Sequence, residues 1–388
     1  MHRLTSLGKS LTFQVLLIAV FSRLALMTMN WFSFKIFRVF ERGYPKLFDE
    51  LIPGDHPLAG WSRWDAAWYA LVAFDGYVGP SGEPVQTRGF FPLYPMLTRM
   101  LSWLQPGEVT RADMAIWGVV AANLCFLAMV VVLAKVIAIH HGDDVAFTAT
   151  TLLMVSPMAF FLNAGYSESL FMLCAVAAFW FAYKQRWIPA SLAIALASST
   201  RLFGLALIPC IMLIAWRQRA QIRDLVIIPV VGALGTIAYA LWTWWKYDDL
   251  LAYWHAQSTF WGDWDDRVGN YFDVISANPM NMVRSPENFV IVMNLGLAAT
   301  ALASLPWVWK RVEPGMALFT GIIVVFHTVY TWHSLGRYLL AGIGVYIVLG
   351  ILLSKPGWNT GIRTAVIVTS TVLLATMNIL FAHGFWIV

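Results

Sequence analysis

The chain has 388 residues and a formal net charge of +5, with 59% of its residues hydrophobic and only 12% charged. A water-soluble chain of this length carries roughly twice that charged fraction, so the composition excludes a soluble enzyme and fits a protein of the lipid bilayer. Its basic residues lie between apolar segments rather than in one patch, which points to topology signals and membrane lipids as partners and excludes nucleic acid.

The N-terminal MHRLTSLGKS is short and basic, and 11–29 is apolar apart from Arg23. No small-residue cleavage site follows, so this stretch reads as a first transmembrane helix, started on the cytoplasmic side by Arg3 and Lys9, rather than as a signal peptide. From 30 to 112 no window is apolar enough to cross, and this stretch reads as the first outer loop. WFSFKIFRVFERGYPKLF interleaves aromatic residues with Lys35, Arg38, Arg42 and Lys46, the pattern of a helix lying in the interface, with a solvated loop helix as the alternative. FFPLYPMLTRMLSWL, opened by its prolines, predicts a second interfacial helix. Between them, Trp61 to Pro95 mixes Arg63, Asp65, Asp75 and Arg88 with aromatic side chains, a combination that a plain connection does not need.

The later apolar segments fall at 113–139, 145–163, 166–183, 188–216, 224–246, 288–309, 315–332, 336–354 and 362–385. Crossing the hydrocarbon takes about 20 helical residues, so each is read as membrane-embedded. The 188–216 segment is interrupted by Ser198-Ser199-Thr200-Arg201 and is flanked by Lys184 and Arg186 before it and by Arg217, Arg219 and Arg223 after it. A half-depth hairpin with its tip at 198–204 keeps both basic clusters in the cytoplasm, and an ordinary pair of short spans is the alternative. With the hairpin, 30–112, a second outer loop at 247–287 and the turn at 333–337 fall outside. The expected fold is all-α and multi-pass, with residues 1–388 as one transmembrane domain of about 9–11 transmembrane helices and interfacial helices in the first outer loop. No internal repeat of the transporter kind is visible.

This topology puts Asp65, Arg88, Glu168, Arg201, His333 and Arg337 on the same non-cytoplasmic side. An ionisable group at depth costs roughly 2.5–3.5 kcal/mol and persists when it is paired or lines a wet cavity, so their convergence reads as a site. Asp65, between aromatic walls, is the candidate general base for a hydroxyl proton; an ion pair or cap with Arg63 is its other reading. Arg88, Arg201 and Arg337 are candidate phosphate clamps, because a guanidinium fork matches two phosphate oxygens. Snorkelling to the interface is the alternative for Arg337, and capping of the following helix is the alternative for Glu168. Asp75, followed by Gly76, reads as a turn residue. Asp263 to Asp266, in DWDD, have a spacing suited to a divalent cation with a nucleotide sugar or pyrophosphate, yet read as a solvated turn; no metal or cofactor is expected. Cys125, Cys174 and Cys210 lack metal-like spacing, and the chain has no glycine-rich nucleotide loop and no serine elbow.

In chain order, RWDAAWY, GY, GFFPLYP, GYSESLF and STRLFG, with a shorter GRYLL, resemble the PIG-V family of mannosyltransferases. The resemblance implies the GT-C glycosyltransferase fold. It also implies transfer of mannose, with inversion, from a polyprenyl-phosphate-mannose donor to a hydroxyl of a lipid-linked or membrane-anchored acceptor. By motif the base falls on Asp65, and Arg201 or Arg337 would offset the charge of the departing phosphate. The same motifs carry Arg63, Tyr94 and Tyr166, which complete the donor-phosphate and substrate-binding candidates. With no Asn-x-Ser/Thr sequon the chain looks more like a bacterial relative, set in the inner membrane with its site facing the exterior. A transferase for another lipid-linked sugar and a flippase for a polyprenyl-linked lipid are the competing readings. A polar set biased to one side favours the enzyme.

Overall fold

The computed structural model describes residues 10–37, 52, 56–78, 86–260, 286–330, 334–354, 360–385 and 387, and among these the regular structure is helical, without strands. The first helix, α1 (Leu11–Ile36), continues through Trp31–Ile36. The expected separate interfacial helix beginning at Trp31 is therefore, as far as 36, the last turns of α1. Nothing in WFSFKI breaks a helix, and exposed Phe32 and Ile36 prolong its apolar surface. Two short helices follow, α2 (Asp65–Asp75) and α3 (Leu93–Ser102). On α3, Tyr94, Thr98 and Ser102 are buried, whereas Met96 and Met100 face outward, and exposed Trp103 and Leu104 follow. That is the profile of a helix whose outer side meets lipid.

The longest helix among the described residues, α4 (Arg111–His141), opens with a capping box in which Thr110 and Asp113 satisfy each other's backbone N–H groups. After it come α5 (Asp143–Met154), α6 (Glu168–Tyr183), α7 (Trp187–Ser198), α8 (Leu207–Arg217), α9 (Ile222–Gly232) and α10 (Leu234–Tyr247). The remainder are α11 (Ala252–Phe260), α12 (Pro286–Arg311), α13 (Pro314–Tyr330), α14 (Leu335–Leu339), α15 (Ile343–Leu353) and α16 (Thr360–Ala382). Among the described residues five helical stretches are long and apolar enough to cross a bilayer: α1, α4, α9 with α10, most of α12, and α16. Five shorter apolar helices accompany them.

Three apolar segments are broken, two of them where hydropathy reads a continuous run and the third at the interruption already read in the sequence. Segment 145–163 stops at Met154 and resumes as a single 3-10 turn at Ala159–Leu162. Arg23 of α1 answers the break: its guanidinium lies 4.1 Å from the Phe126 ring centre and donates to the carbonyls of Met154 (3.3 Å) and Ala159 (3.4 Å). Carbonyls freed in a membrane need such a donor. Segment 336–354 divides into α14 and α15. Segment 188–216 divides at Ser199–Arg201, and the turns at its two outer ends line one common hollow, so its two arms fold back on each other, as both the half-depth hairpin and a pair of short spans require. At the tip, a side chain on Gly204 would put its Cβ 2.2 Å from the Ser198 nitrogen, so only glycine lets the chain fold back this closely.

The core lies where α4 packs along α6 and α6 along α7, with α9 on the other side of α7. Phe126, Phe160, Phe161, Phe179, Tyr166 and Phe381 are fully buried within it. Helix α16 packs against α1 through a polar knot: Asn378 Nδ2 donates to Asn30 Oδ1 at 2.5 Å, and Trp61 Nε1 donates to Asn378 Oδ1 at 3.3 Å. Arg63 Nε adds a bond to the Ala382 carbonyl at 3.1 Å. The loop that leads into α2 is thereby tied to helices from both ends of the sequence.

Candidate active site

Asp65 is the first residue of α2, and the residue before it, Trp64, has φ 55° and ψ −123°. A bulky side chain seldom adopts a positive φ, and strain of this kind persists only where the surroundings hold it. The hold comes from the loop before α6. Gly165 N–H donates to the Trp61 carbonyl at 2.9 Å, the Asp65 N–H donates to Tyr166 Oη, and Tyr166 Oη donates to the Arg63 carbonyl, both at 3.2 Å. One residue on, Ser167 Oγ shares a 2.7 Å hydrogen bond with Tyr69 Oη of α2. The RWDAAWY and GYSESLF stretches are thus stitched together by main-chain and hydroxyl bonds, which fixes Asp65 beside Glu168.

Two arginines close the cluster. Arg337, on α14, donates from Nη1 to Asp65 Oδ2 at 2.8 Å, and its Nε lies 2.9 Å from Glu168 Oε1. Arg201, at the hairpin tip, donates from Nη1 to the same Glu168 oxygen. Both guanidinium carbons sit 5.0 Å from the Tyr338 ring centre, and Arg337 also lies over Tyr166 and Phe161. Two carboxylates and two guanidiniums make a formally neutral set, walled by aromatic faces that favour the cations. The members differ in access. The Asp65 side chain is 17% exposed and that of Glu168 6%, so Asp65 is the carboxylate an incoming molecule reaches first. Glu168 Oε2 is buried and has no hydrogen-bond partner among the described residues. A narrow hollow of about 20 Å³, lined by Glu168, Arg201, His327, Arg337 and Tyr338, adjoins the cluster and has room for one water.

The structure therefore brings together Asp65, Glu168, Arg201 and Arg337 from four separate stretches, with Tyr166 as the pin. Arg337 is not snorkelling: its side chain is only 5% exposed and turned inward. The alternative of capping fits Glu168 only by position, since it begins α6 while its carboxylate is spent on arginines. Arg63 points to the end of α16 and does not pair with Asp65. Arg88 belongs to another group: its guanidinium lies 4.0 Å from the Tyr247 ring centre and 3.9 Å from Asp249. Tyr94 is fully buried, donating to the Gly118 carbonyl at 2.7 Å and packing edge-on to Tyr69, as a packing residue does. Asp75 ends α2 and pairs with Arg111 at 2.8 Å, a structural bond between α2 and α4. His333 and Asp263–Asp266 lie outside the described residues. Among the described residues no group of three or more His, Cys, Asp or Glu gathers around one point.

Sequence reasoning passed over Tyr338, whose ring lies beneath both arginines, and His327 of α13, which stacks 4.5 Å from it. Tyr338 had a signal, its place beside Arg337 in GRYLL. His327 had none, because one histidine in an apolar helix has the pattern of an ordinary core residue.

The family model described as mannosyltransferase (PIG-V) matches residues 12–227, which hold Asp65, Glu168 and Arg201 but end before Arg337. GPI alpha-1,6-mannosyltransferase 2 of Mus musculus is 31% identical over 163 residues, a match covering 40% of this chain and only 31% of that protein. Two solved structures are similar along almost the whole chain at low identity. ArnT from Cupriavidus metallidurans, bound to undecaprenyl phosphate, has a TM-score of 0.52 and 12% identity over 95% of this chain and 76% of its own. The oligosaccharyltransferase of Archaeoglobus fulgidus has a TM-score of 0.56 and 15% identity over 95% of this chain and 56% of its own. The architecture is that of the GT-C glycosyltransferases, and the sequence match over more than half its length makes this chain a member of the PIG-V mannosyltransferase family.

Proposed function

We propose that this protein transfers mannose from a polyprenyl-phosphate-mannose donor to a hydroxyl of a lipid-linked or membrane-anchored acceptor, with inversion at the anomeric carbon. The observation that carries this reading is the ion-pair relay Asp65–Arg337–Glu168–Arg201. The phosphate of the donor brings the charge that two arginines are suited to hold. As it takes Arg337, it frees Asp65 Oδ2 from its 2.8 Å partner, so the base becomes available only when donor is present. The acceptor oxygen then bonds to the anomeric carbon as the carbon–oxygen bond to phosphate breaks. The hydroxyl proton passes to Asp65, and the departing polyprenyl phosphate keeps the electron pair against the guanidiniums. The base of this step is a side chain and the leaving group needs only the two arginines, so no metal is required.

The site is assigned to the non-cytoplasmic side. Helix α6 runs from Glu168 to Tyr183, about 24 Å at 1.5 Å per residue, and beyond its far end lie Lys184 and Arg186, with Arg217, Arg219 and Arg223 next to them in the hairpin. Basic residues favour the cytoplasm, so the carboxylates lie on the opposite side. The membrane assigned is the inner membrane of a bacterium, with the site facing the periplasm and a bacterial polyprenol as carrier. The undecaprenyl phosphate held by the ArnT neighbour supports that carrier.

The test is transfer of radiolabelled mannose from undecaprenyl- and dolichyl-phosphate-mannose to extracted acceptor lipids, comparing the protein with Asp65→Asn at matched amounts. Loss of a base costs about 10²–10⁴-fold, so transfer by Asp65→Asn falls by at least two orders of magnitude while donor binding persists. Equal transfer by both proteins removes Asp65 from the mechanism. Movement of the donor lipid across vesicles without any transfer replaces the enzyme by a flippase.

A further inference from the structure

At the end of the molecule away from the carboxylates lies a second hollow, of about 470 Å³, which the transfer reaction does not use. Its walls are the tight turns that join α6 to α7 and α8 to α9. Both close with the same main-chain bond: the Arg186 N–H donates to the Phe181 carbonyl and the Ala220 N–H to the Ala215 carbonyl, each at 2.9 Å. Arg186, Arg219 and Arg223 line the hollow, against a single carboxylate, Asp224, which lies 3.3 Å from Arg223. Arg186 and Arg219 have no acidic partner among the described residues. The first turns of α7 and α9 border the same space, and neither has a side-chain cap, so their positive ends add to the arginine field. Gln218, also in the wall, keeps a buried Oε1 without a donor among the described residues.

We infer that this hollow binds the headgroup of an anionic glycerophospholipid, with the phosphodiester on Arg186 and Arg219. The volume is that of a small-ligand site. The rim decides between a lipid and a free anion. Ile188, in the wall, and Trp216 and Ile222, which flank the α8–α9 turn in the sequence, are 55%, 68% and 77% exposed, a surface that acyl chains cover and a soluble phosphate does not. A headgroup seated here would join the two open ends of the hairpin whose tip carries Arg201. The inference requires only the structure of this end and stands whether or not the protein transfers mannose.

The experiment is native mass spectrometry of the full-length protein in detergent, titrated with phosphatidylglycerol or with phosphatidylcholine of the same acyl chains. Three variants are compared: Arg186→Gln with Arg219→Gln and Arg223→Gln together, Arg219→Gln alone, and Arg217→Gln. Arg217 is an exposed arginine at the same end that does not line the hollow. Wild type is expected to prefer phosphatidylglycerol by about tenfold or more, the triple variant to lose that preference, Arg219→Gln to lose part of it, and Arg217→Gln to keep it. Equal loss in Arg217→Gln, or an unchanged preference in the triple variant, overturns the site in favour of diffuse surface charge. Displacement of bound phosphatidylglycerol by millimolar inorganic phosphate overturns the lipid assignment in favour of a free anion. If the triple variant does not purify as a monodisperse species, Arg219→Gln is read against Arg217→Gln in its place.

Discussion

Asp65 and Glu168 are both carboxylates within reach of Arg337, yet amide substitution has opposite consequences at the two positions. Glu168 Oε1 is shared by Arg201 and Arg337, so Glu168→Gln leaves buried guanidinium charge with one carboxylate where there were two. Removing one partner from a buried ion pair costs about 3–5 kcal/mol, and the variant is expected to melt well below wild type in detergent whether or not substrate is present. Asp65→Asn leaves Arg337 its second carboxylate and is expected to lose transfer with a much smaller change in melting temperature. Thermal unfolding of the two variants side by side therefore separates the residue that holds the site from the one that acts in it. An equal loss of stability would assign both to the scaffold. Glu168, Arg201 and Arg337 were legible in the sequence because charge in an apolar run has to be accounted for, and Asp65 because it stands among charged and aromatic residues that a plain connection does not need. Tyr338, His327 and the Asn30–Asn378 pair were not, since aromatic, histidine and asparagine side chains on a helix face look the same whether they serve a site or fill a core. The separation of Arg88 from the other arginines was also beyond reach, because the choice between phosphate and Asp249 as its neighbour depends on how α10 and α11 come to rest.

The hairpin formed by α7 and α8 was readable because sign and hydropathy agree there: an arginine at the interruption and arginines at both feet admit few arrangements. The breaks after Met154 and Leu339 escaped, because a chain can turn within an apolar stretch without any change in composition, and the donors that permit it come from elsewhere, as Arg23 does. What holds the hairpin tip is steric. Gly204→Ala would force a Cβ against the backbone of Ala197 and Ser198 and move Arg201 off Glu168. Overpacking costs about 1–3 kcal/mol, and the expected result is a lower melting temperature together with loss of transfer. Gly296→Ala on α12, where a Cβ meets nothing within 4 Å, is the matched control and should be neutral or slightly stabilising, by up to about 1 kcal/mol. Equal behaviour of the two variants would mean that the close approach at the tip is not needed.

On the scale of the whole molecule, the Asp65–Arg337–Glu168–Arg201 cluster and the Arg186–Arg219–Arg223 group occupy opposite ends, and their orientation in the membrane can be measured without a substrate. The native cysteines, Cys125, Cys174 and Cys210, are buried and need not be removed. Glu108→Cys, exposed before α4, is expected to react with a membrane-impermeant maleimide from outside intact cells, and Arg219→Cys only after the membrane is opened. Reaction of both from the same side would overturn the orientation. The polar knot between α1 and α16 bears on the order in which the protein is made. Trp61 and Arg63 emerge from the ribosome early, but their partners Asn378 and Ala382 are the products of more than three hundred further elongation steps. Until α16 has been inserted, the strained turn at Trp64 lacks one of its supports. The nascent chain thus carries Asp65 in an unfinished setting through all of those steps, and the cluster matures once α16 is in place rather than with the motif that encodes it.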